Sequence, residues 1–238
     1  MQIIITLSPP DGATLPLNYN YAVQGVIYSL LNSVPEYARF LHDIGYESEN
    51  STYKLFTFGS VKGDYRIENR EIVPHGLISF EIRSVSEEFC GILKDSLLHT
   101  EKIRLLRHEY TLKMIEVYDR RITDSEISVL TSSPIVAKTT DDNGQTVFFS
   151  PEEEEFQNAI NANYGRKFES FTGVYPEYGI IIEPLGKCRK VVTKFKGIWV
   201  TAYHGKFRLT GEPIALDLLY QTGLGSKSSQ GFGMFDVI

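Results

Sequence analysis

The chain has 238 residues, of which 42% are hydrophobic and 23% are charged, and its formal net charge is −6 at pH 7. This composition excludes a disordered chain and allows one large domain or two of ordinary size. No stretch approaches the ~20 apolar residues of a membrane helix, and the opening residues lack the pattern of a signal peptide. The two cysteines, Cys90 and Cys188, match no metal or redox spacing. A cytoplasmic protein without membrane contact is therefore expected.

The first half of the chain alternates between strand and helix patterns. QIIITLS predicts a strand, and NYNYAVQGVIYSLLNSV has a helical period that Asn18 or Asn20 can cap. Pro35 opens a second, short helix, and Gly45 is placed to end it. YKLFTFGS and LISFEIRS predict strands, Ser86 caps a further helix, and KIRLL and YTLKMIEVYD predict two more strands.

The second half repeats this order of elements. EISVLTSSPIVAKTT is rich in strand formers, and DDNG predicts a tight turn before QTVFFS. PEEEEFQNAINANYGRKF predicts a helix, followed by the strands YGIIIEPL, KVVTKF and IWVTAYHGKFRL. PIALDLLYQTG predicts a helix that Gly223 ends, and GMFDVI predicts the last strand. This order favours an α+β fold of two tandem ferredoxin-like domains, residues 1–122 and 123–238, over a single doubly wound sheet.

Residues 184–211 contain no acidic residue but hold seven of the 24 basic residues. The stretch is therefore a local positive field on an acidic protein, and its cations could meet the phosphates of a nucleic acid. The aromatic residues after Gly197 could stack on bases or belong to the core. A solvated charged face is the alternative for the cations. The seven basic residues are Lys187, Arg189, Lys190, Lys194, Lys196, Lys206 and Arg208.

The chain ends in TGLGSKSSQGFGMFDVI, in which four glycines fall within eleven positions around one lysine. Glycines permit a close approach of the backbone to a ligand, and successive amides can form an anion-binding concavity. The spacing is not that of a Walker loop, and the loop follows a helix, which argues against a dinucleotide fingerprint. A long turn before an edge strand is the alternative. The candidate binding residues are Gly223, Gly225, Lys227, Ser228, Gly231 and Gly233.

The segment GLGSKSSQGFGMFDVI closely resembles the C-terminal glycine-rich motif of the RAMP superfamily, and within it that of the CRISPR repeat-RNA processing endoribonucleases. LPLNYNYAVQGVIYSLL, EYARFLH, YKLFTFG and SSPIVAK resemble further segments of that family, in family order. The resemblance implies tandem ferredoxin-like domains and cleavage of CRISPR precursor RNA (pre-crRNA) within its repeats to release guide RNAs. It implies no metal and no cofactor. Repeat RNA is the implied partner, other CRISPR effector subunits are candidate partners, and a monomer or homodimer is expected.

The resemblance also implies three catalytic residues, Tyr28, His42 and Lys54. Attack by the 2′-hydroxyl of RNA leaves a 2′,3′-cyclic phosphate and a 5′-hydroxyl. It needs a base for the 2′-hydroxyl, an acid for the leaving oxygen and a cation for the phosphorane. Histidine and tyrosine can handle the protons, and the lysine ammonium can offset the charge. The alternative is a non-catalytic RNA-binding RAMP subunit of a CRISPR effector complex, and a third hypothesis is a pair of domains that binds a small anion.

The helical period of PEYARFLHDIG places His42 outside the apolar stripe formed by Tyr37, Phe40, Leu41 and Ile44. The histidine is then free to reach solvent or a ligand. An ordinary surface histidine is the alternative.

Tyr28 likewise falls off the buried face of its helix, and a partly buried aromatic residue is the alternative. Strand alternation places Lys54 on the side of Phe56 and Phe58, where it lies at a pocket rim or extends from an apolar face. The stretch ESENST makes the spacing between His42 and Lys54 longer than expected for this family.

Overall fold

A computed structural model describes residues 1–49 and 51–238. Its helices are α1 (Asn20–Leu31), α2 (Pro35–Arg39), α3 (Glu87–Leu98), α4 (Glu154–Thr172) and α5 (Pro213–Thr222). A π-helical turn, Phe40–Ile44, continues α2, and a 3₁₀ turn, Ser228–Gln230, lies in the terminal loop. None of the helices in the described part of the chain combines the length and apolar character that a bilayer crossing requires.

The strands fall into two groups along the chain. Those of the first half are β1 (Gln2–Ser8), β2 (Leu15–Pro16), β3 (Tyr46–Ser48), β4 (Ser51–Tyr53), β5 (Phe56–Phe58), β6 (Lys62–Glu68), β7 (Glu71–Ser84), β8 (Lys102–Leu105) and β9 (His108–Tyr118). Those of the second half are β10 (Glu126–Thr131), β11 (Lys138–Thr140), β12 (Thr146–Phe148), β13 (Ile181–Pro184), β14 (Arg189–Phe195), β15 (Ile198–His204), β16 (Lys206–Thr210) and β17 (Phe235–Val237).

The first sheet has the strand order β2-β7-β1-β9-β8, with β5 and β6 also paired to β7. All of these pairings are antiparallel. Together with α1 and α3, the order β9-β1-β7-β5 is that of a ferredoxin-like unit. The apolar side chains of α1 close the core of this unit. The predicted face of α1 is buried throughout: Val23, Val26, Ile27, Leu30 and Leu31.

The second sheet has the order β13-β16-β10-β17, which is the same ferredoxin-like order. Helices α4 and α5 supply its core with β10 and β16, as shown by the buried side chains of Ile160, Leu216, Val129 and Phe207. The predicted fold class is confirmed. The first sheet ends with β9 and the second begins with β10. The division at residues 122 and 123 lies between these strands and stays a prediction.

The predicted cap of α1 is wrong. Tyr19 is the N-cap residue and no side chain caps the helix. The Asn20 amide instead donates to the carbonyls of Gln230 and Gly231, at 3.0 and 3.1 Å. Two tertiary hydrogen bonds thus replace the single local one that sequence spacing suggests.

Two periodicity predictions near the candidate site are also wrong. Ile44 is 51% exposed, because the π-helical turn shifts the helical period by one residue. Lys54 does not lie in a strand, because the predicted strand is broken between β4 and β5. Leu55 takes a positive φ of 51° at this break. Alternation therefore does not continue from Lys54 to Phe56.

Candidate active site

The structure brings Tyr28, His42 and Lys54 together from three separate elements. The rings of Tyr28 and His42 meet edge to face with their centroids 5.6 Å apart. The ammonium of Lys54 donates a hydrogen bond of 2.9 Å to the backbone carbonyl of His42. The three residues proposed from sequence therefore form one cluster, although 25 residues of chain lie between the first and the last.

His42 presents one ring nitrogen to solvent. Its Nδ1 lies 2.7 Å from Oδ1 of Asp43, and its side chain is 70% exposed. A hydrogen on Nδ1 is donated to the carboxylate, which leaves Nε2 free to accept a proton. Asp43 is absent from the sequence-based candidates, because an acid next to a histidine is too common a pattern to single out.

Tyr28 is half-buried and packs against the core, with its ring 6.3 Å from that of Phe56. Burial raises the pKa of Tyr28 to about 12. The phenol is therefore neutral at physiological pH and has a proton that it can donate. Tyr28 is thus a packed aromatic residue, the alternative that the sequence offered, and its role as a site residue stays a prediction.

Lys54 reaches His42 because the chain folds back on itself between them. Strands β3 and β4 pair with Tyr46 opposite Tyr53, which accommodates the stretch ESENST. Asn50 of that stretch lies outside the described residues. Gly45 has a φ of 74°, and a Cβ there would lie 2.7 Å from the Tyr53 carbonyl and 3.0 Å from the Lys54 ammonium. Glycine at this position thus permits the close approach of Lys54.

Two opposing effects act on the charge of Lys54. Burial lowers the pKa of Lys54, and the nearby carboxylate of Asp43 acts in the opposite direction. Asp43 is therefore linked to both the imidazole of His42 and the ammonium of Lys54.

Tyr28, His42 and Asp43 line a groove of about 370 Å³ between α1 and the end of α2. Arg39 lies in the same groove, one turn before His42, and its side chain is exposed. The groove thus offers a proton donor, a proton acceptor and a cation around one space. Helix periodicity places Arg39 beside His42 but does not distinguish it from any other surface arginine.

The four glycines of the terminal loop are accounted for by packing. Each has a positive φ, between 70° and 83°. A Cβ on Gly225 would lie 2.5 Å from the Val136 carbonyl, and one on Gly223 would lie 2.9 Å from Oγ1 of Thr57. Side chains on Gly231 and Gly233 would collide with the ring of Phe58 and with the Leu224 carbonyl, respectively. Contact of RNA with these glycines stays a prediction.

The loop is tied to the helix that carries Tyr28. Asn20 donates to the carbonyls of Gln230 and Gly231, and the amide of Gln24 donates to the Ser229 carbonyl at 2.7 Å. Asn20, Gln24 and Tyr28 follow one another at four-residue intervals, so they share one face of α1. The terminal loop therefore lies along the face of α1 that leads to Tyr28.

A buried lysine supports the loop from beneath. The Lys167 ammonium donates to the carbonyl of Gly223 at 2.7 Å, to that of Thr222 at 3.4 Å and to Oγ of Ser228 at 3.3 Å. Burial lowers the pKa of Lys167 to about 7. Lys167 extends the buried stripe of α4 that contains Ile160 and Tyr164. That spacing is the signal by which sequence reasoning could have found it.

The seven basic residues of 184–211 are all exposed on the second domain. Lys187, Arg189 and Lys206 line a shallow pocket with His204. Burial and the charge of Arg189 lower the pKa of His204. In the part of the chain that the structure describes, none of the seven lines the groove at Tyr28 and His42. The structure thus separates this basic surface from the catalytic candidates.

The paired strands β14 and β15 carry much of this basic surface. Lys194 lies over the ring of Trp199, with its ammonium 4.6 Å from the ring centroid, and Trp199 is exposed. Arg208 lies on β16, within 4.0 Å of the carboxylates of Glu126 and Glu183. Its charge is therefore partly compensated, whereas no acid accompanies Lys194 within 4.0 Å among the described residues.

Known proteins resemble this chain over its full length. A curated "CRISPR-associated endoribonuclease Cas6" from Pyrococcus furiosus is 29% identical over 245 residues, which covers 100% of this chain and 90% of the relative. A "CRISPR-associated endoribonuclease Cas6 1" from Methanocaldococcus jannaschii is 26% identical, covering 98% of this chain and 91% of the relative.

Solved structures show the same fold. One described as "CRISPR associated protein Cas6" has a TM-score of 0.80 at 24% identity and covers 100% of this chain and 99% of its own. Another, described as "Characterization of a Cas6-related gene from Pyrococcus furiosus", has a TM-score of 0.88 at 21% identity. The match covers 100% of this chain and 98% of that structure.

Two family descriptions divide the chain between them. Residues 14–116 match "CRISPR-associated protein Cas6, N-terminal", and residues 113–237 match "CRISPR associated protein Cas6, C-terminal". The second match alone spans more than half of the chain. The family predicted from the terminal motif is confirmed, and the chain belongs to the CRISPR-associated Cas6 family.

Proposed function

We propose that this chain is a metal-independent endoribonuclease that cleaves CRISPR precursor RNA within its repeats to generate guide RNAs. The observation that carries the proposal is the cluster formed by Tyr28, His42 and Lys54, in which Tyr28 and His42 line the groove and Lys54 is bonded to the His42 carbonyl. The names of the relatives from P. furiosus and M. jannaschii, which describe endoribonucleases, support the same activity.

The groups in the groove match the needs of attack by the 2′-hydroxyl. Nε2 of His42 takes the 2′-hydroxyl proton while Asp43 holds Nδ1–H. The 2′-oxygen bonds to phosphorus, and the bond from phosphorus to the 5′-oxygen breaks. Tyr28 gives its proton to the departing 5′-oxygen, and solvent then restores both side chains. The products are a 2′,3′-cyclic phosphate and a 5′-hydroxyl.

The charge that builds on the phosphorane needs a cation near the groove. Lys54 is held beside His42, and Arg39 lines the groove itself. Both can offset negative charge on the non-bridging oxygens. In this mechanism side chains alone transfer the protons and supply the positive charge.

Replacement of His42 tests the proposal. His42→Ala should slow cleavage of repeat RNA by roughly 10²–10⁴ while the Kd for RNA changes little, because a proton-transfer group is lost and no phosphate contact is removed. His75→Ala is the matched control, since His75 is also exposed but lies on β7. Cleavage by His42→Ala at the rate of the control would remove His42 from the mechanism.

A second candidate function is that of a non-catalytic RNA-binding subunit of a CRISPR effector complex. One observation favours it: the ammonium of Lys54 is engaged by a backbone carbonyl. In addition, a relative from Pyrococcus horikoshii, 24% identical over the whole chain, is named a "Putative CRISPR-associated endoribonuclease-like protein Cas6nc". Tight binding of repeat RNA without cleavage would favour this second function.

A further inference from the structure

We propose that the cleft between the two domains is a second phosphate site, built by Lys138, Arg166 and Lys227, which holds a backbone phosphate of the RNA near the scissile bond. The cleft has a volume of about 490 Å³ and is lined by β4 and the residues after it, by β11, by α4 and by the terminal loop. It is distinct from the groove at Tyr28 and His42. The nature of the ligand rests on the proposed function.

The lining of the cleft has one sign of charge. Five basic side chains line it and, among the described residues, no Asp or Glu does. None of the five has a carboxylate within 4.0 Å in the described part of the chain. The five residues are Lys54, Lys138, Arg166, Lys167 and Lys227.

The basic side chains lie close enough to affect one another. Burial lowers the pKa of Lys227, and the charge of Lys138 lowers it further. Gathering like charges in a half-enclosed space is unfavourable unless an anion offsets them. Because Lys138 lies on β11 and Lys227 in the terminal loop, the fold brings them together from distant segments of the chain.

Hydrogen-bond donors and an unpaired polar group complete the site. Nε of Arg166 donates to the Tyr53 phenol at 3.3 Å, and among the described residues the two terminal nitrogens of its guanidinium have no partner, so they can bind a phosphate. The side chain of Asn163 lines the cleft and is only 8% exposed, and its Oδ1 has no partner among the described residues. A buried amide oxygen without a partner suits a ribose 2′-hydroxyl, or the amide can rotate to donate to a phosphate.

The position of Lys54 links this cleft to the groove. Lys54 lines the cleft, and its ammonium also binds the carbonyl of His42. An RNA strand whose scissile phosphate lies between Tyr28 and His42 can pass Lys54 and enter the cleft. The volume exceeds that of a single phosphate, and its hydroxyl-rich walls, which include Thr139 and Ser229, suit a nucleotide. These features favour an RNA strand over a free anion.

The test uses repeat RNA with a 2′-deoxy at the cut site, so that binding is measured without cleavage. One neutral methylphosphonate replaces each linkage in turn. For the wild type we expect one linkage near the cut, apart from the scissile one, at which neutralisation weakens binding about tenfold, the effect of ~1.4 kcal/mol. In Lys138→Gln/Arg166→Gln this sensitivity should fall sharply, because only Lys227 remains of the three cations that hold the phosphate.

Lys113→Gln is the matched control, since Lys113 is an exposed cation on β9, away from the cleft and the groove. It should keep the full sensitivity of the wild type at that linkage. The single variants Lys138→Gln and Arg166→Gln should each lose part of the sensitivity at that linkage. Their unfolding midpoints are measured as well, so the proposal can be tested even where the double variant does not fold.

The proposal would be overturned if, at every linkage, neutralisation weakens RNA binding by the same factor in the wild type and in the double variant. The proposal would also be overturned if inorganic phosphate, at constant ionic strength, competes with RNA for the wild type but not for the double variant, and no single linkage shows a specific effect. That result would identify the cleft as a small-anion pocket. Failure of the proposed function is scored separately. It appears as absence of cleavage of unmodified RNA, whereas failure of the phosphate site appears in binding alone.

Discussion

Tyr28 and His42 differ in the environment that each side chain meets, and the roles proposed for them rest on this difference. Tyr28 is half-buried and keeps its proton, because burial raises its pKa to about 12. His42 is exposed and offers Nε2, because Asp43 occupies Nδ1. A group with a pKa near 12 is a poor base at neutral pH, and the proposed mechanism therefore has Tyr28 as the donor to the leaving oxygen and His42 as the base.

The assignment of Tyr28 is tested with a substrate whose bridging 5′-oxygen is replaced by sulfur. A thiolate leaves without a proton, so the loss of a general acid no longer matters. Tyr28→Phe should slow cleavage of ordinary RNA by roughly 10²-fold or more and cleave the sulfur substrate at close to the wild-type rate. His42→Ala should remain slow on both. Rescue of His42→Ala, and not of Tyr28→Phe, would reverse the two roles.

Lys167 makes stability depend on pH. Burial lowers its pKa from 10.5 to about 7, so the unfolded chain binds more protons than the folded one between these values. The free energy of unfolding should therefore rise with pH in that window, by about 2 kcal/mol between pH 7 and pH 9. Denaturant unfolding across this range should show this rise in the wild type and not in Lys167→Met. The same slope in both proteins would contradict the assignment.

At the scale of elements, the terminal loop depends on glycine for two separable reasons: a positive φ and close packing. Gly225 has a φ of 70° and lies against the Val136 carbonyl. Gly12 has a φ of 71°, and a Cβ added there would have no other atom within 4 Å. An alanine at either position would therefore meet the same backbone strain, and only at position 225 would its Cβ also collide with a neighbouring atom.

Gly12→Ala should cost about 1–2 kcal/mol of unfolding free energy through backbone strain alone. Gly225→Ala should cost roughly 1–3 kcal/mol more through overpacking. It should also slow cleavage, since the loop lies along the face of α1 that carries Tyr28. Denaturant titration and single-turnover cleavage measure the two effects. An equal loss of stability at both glycines would show that packing does not require glycine in the loop.

Sequence patterns predicted most elements because each pattern is local. The strand QIIITLS, the buried face of α1 and the Ser86 cap of α3 depend on residues within a few positions of one another, and all are confirmed. The pairing of β11 with β12 across the DDNG turn has the same local origin. Wrong predictions arose where tertiary contacts prevail, as for the Asn20 side chain and the break after β4.

The site shows the same division. The resemblance to family motifs singled out Tyr28, His42 and Lys54. The cleft residues Lys138 and Arg166 escaped notice, because they lie in unlike segments that only the packed fold brings together. Lys167 escaped for another reason: a lysine on a helix is ordinarily solvated, and only its position in the buried stripe of α4 indicates otherwise.

At the scale of the whole molecule, the two domains are joined by polar contacts as well as by the loop. Arg83 of β7 is buried, and its guanidinium donates to the Phe235 carbonyl and to Asp236 of β17, each at 2.6 Å. It also lies 4.0 Å from the centre of the Tyr220 ring. The edge strand that ends the second sheet is thus anchored to the first domain.

The most direct test of the central claim is cleavage of end-labelled repeat RNA in the presence of a chelator, beside a copy with a single 2′-deoxy at the cut site. The account predicts cleavage of the first RNA alone, with a 2′,3′-cyclic phosphate on one product and a 5′-hydroxyl on the other. Cleavage of the 2′-deoxy copy, or cleavage that the chelator abolishes, would contradict it.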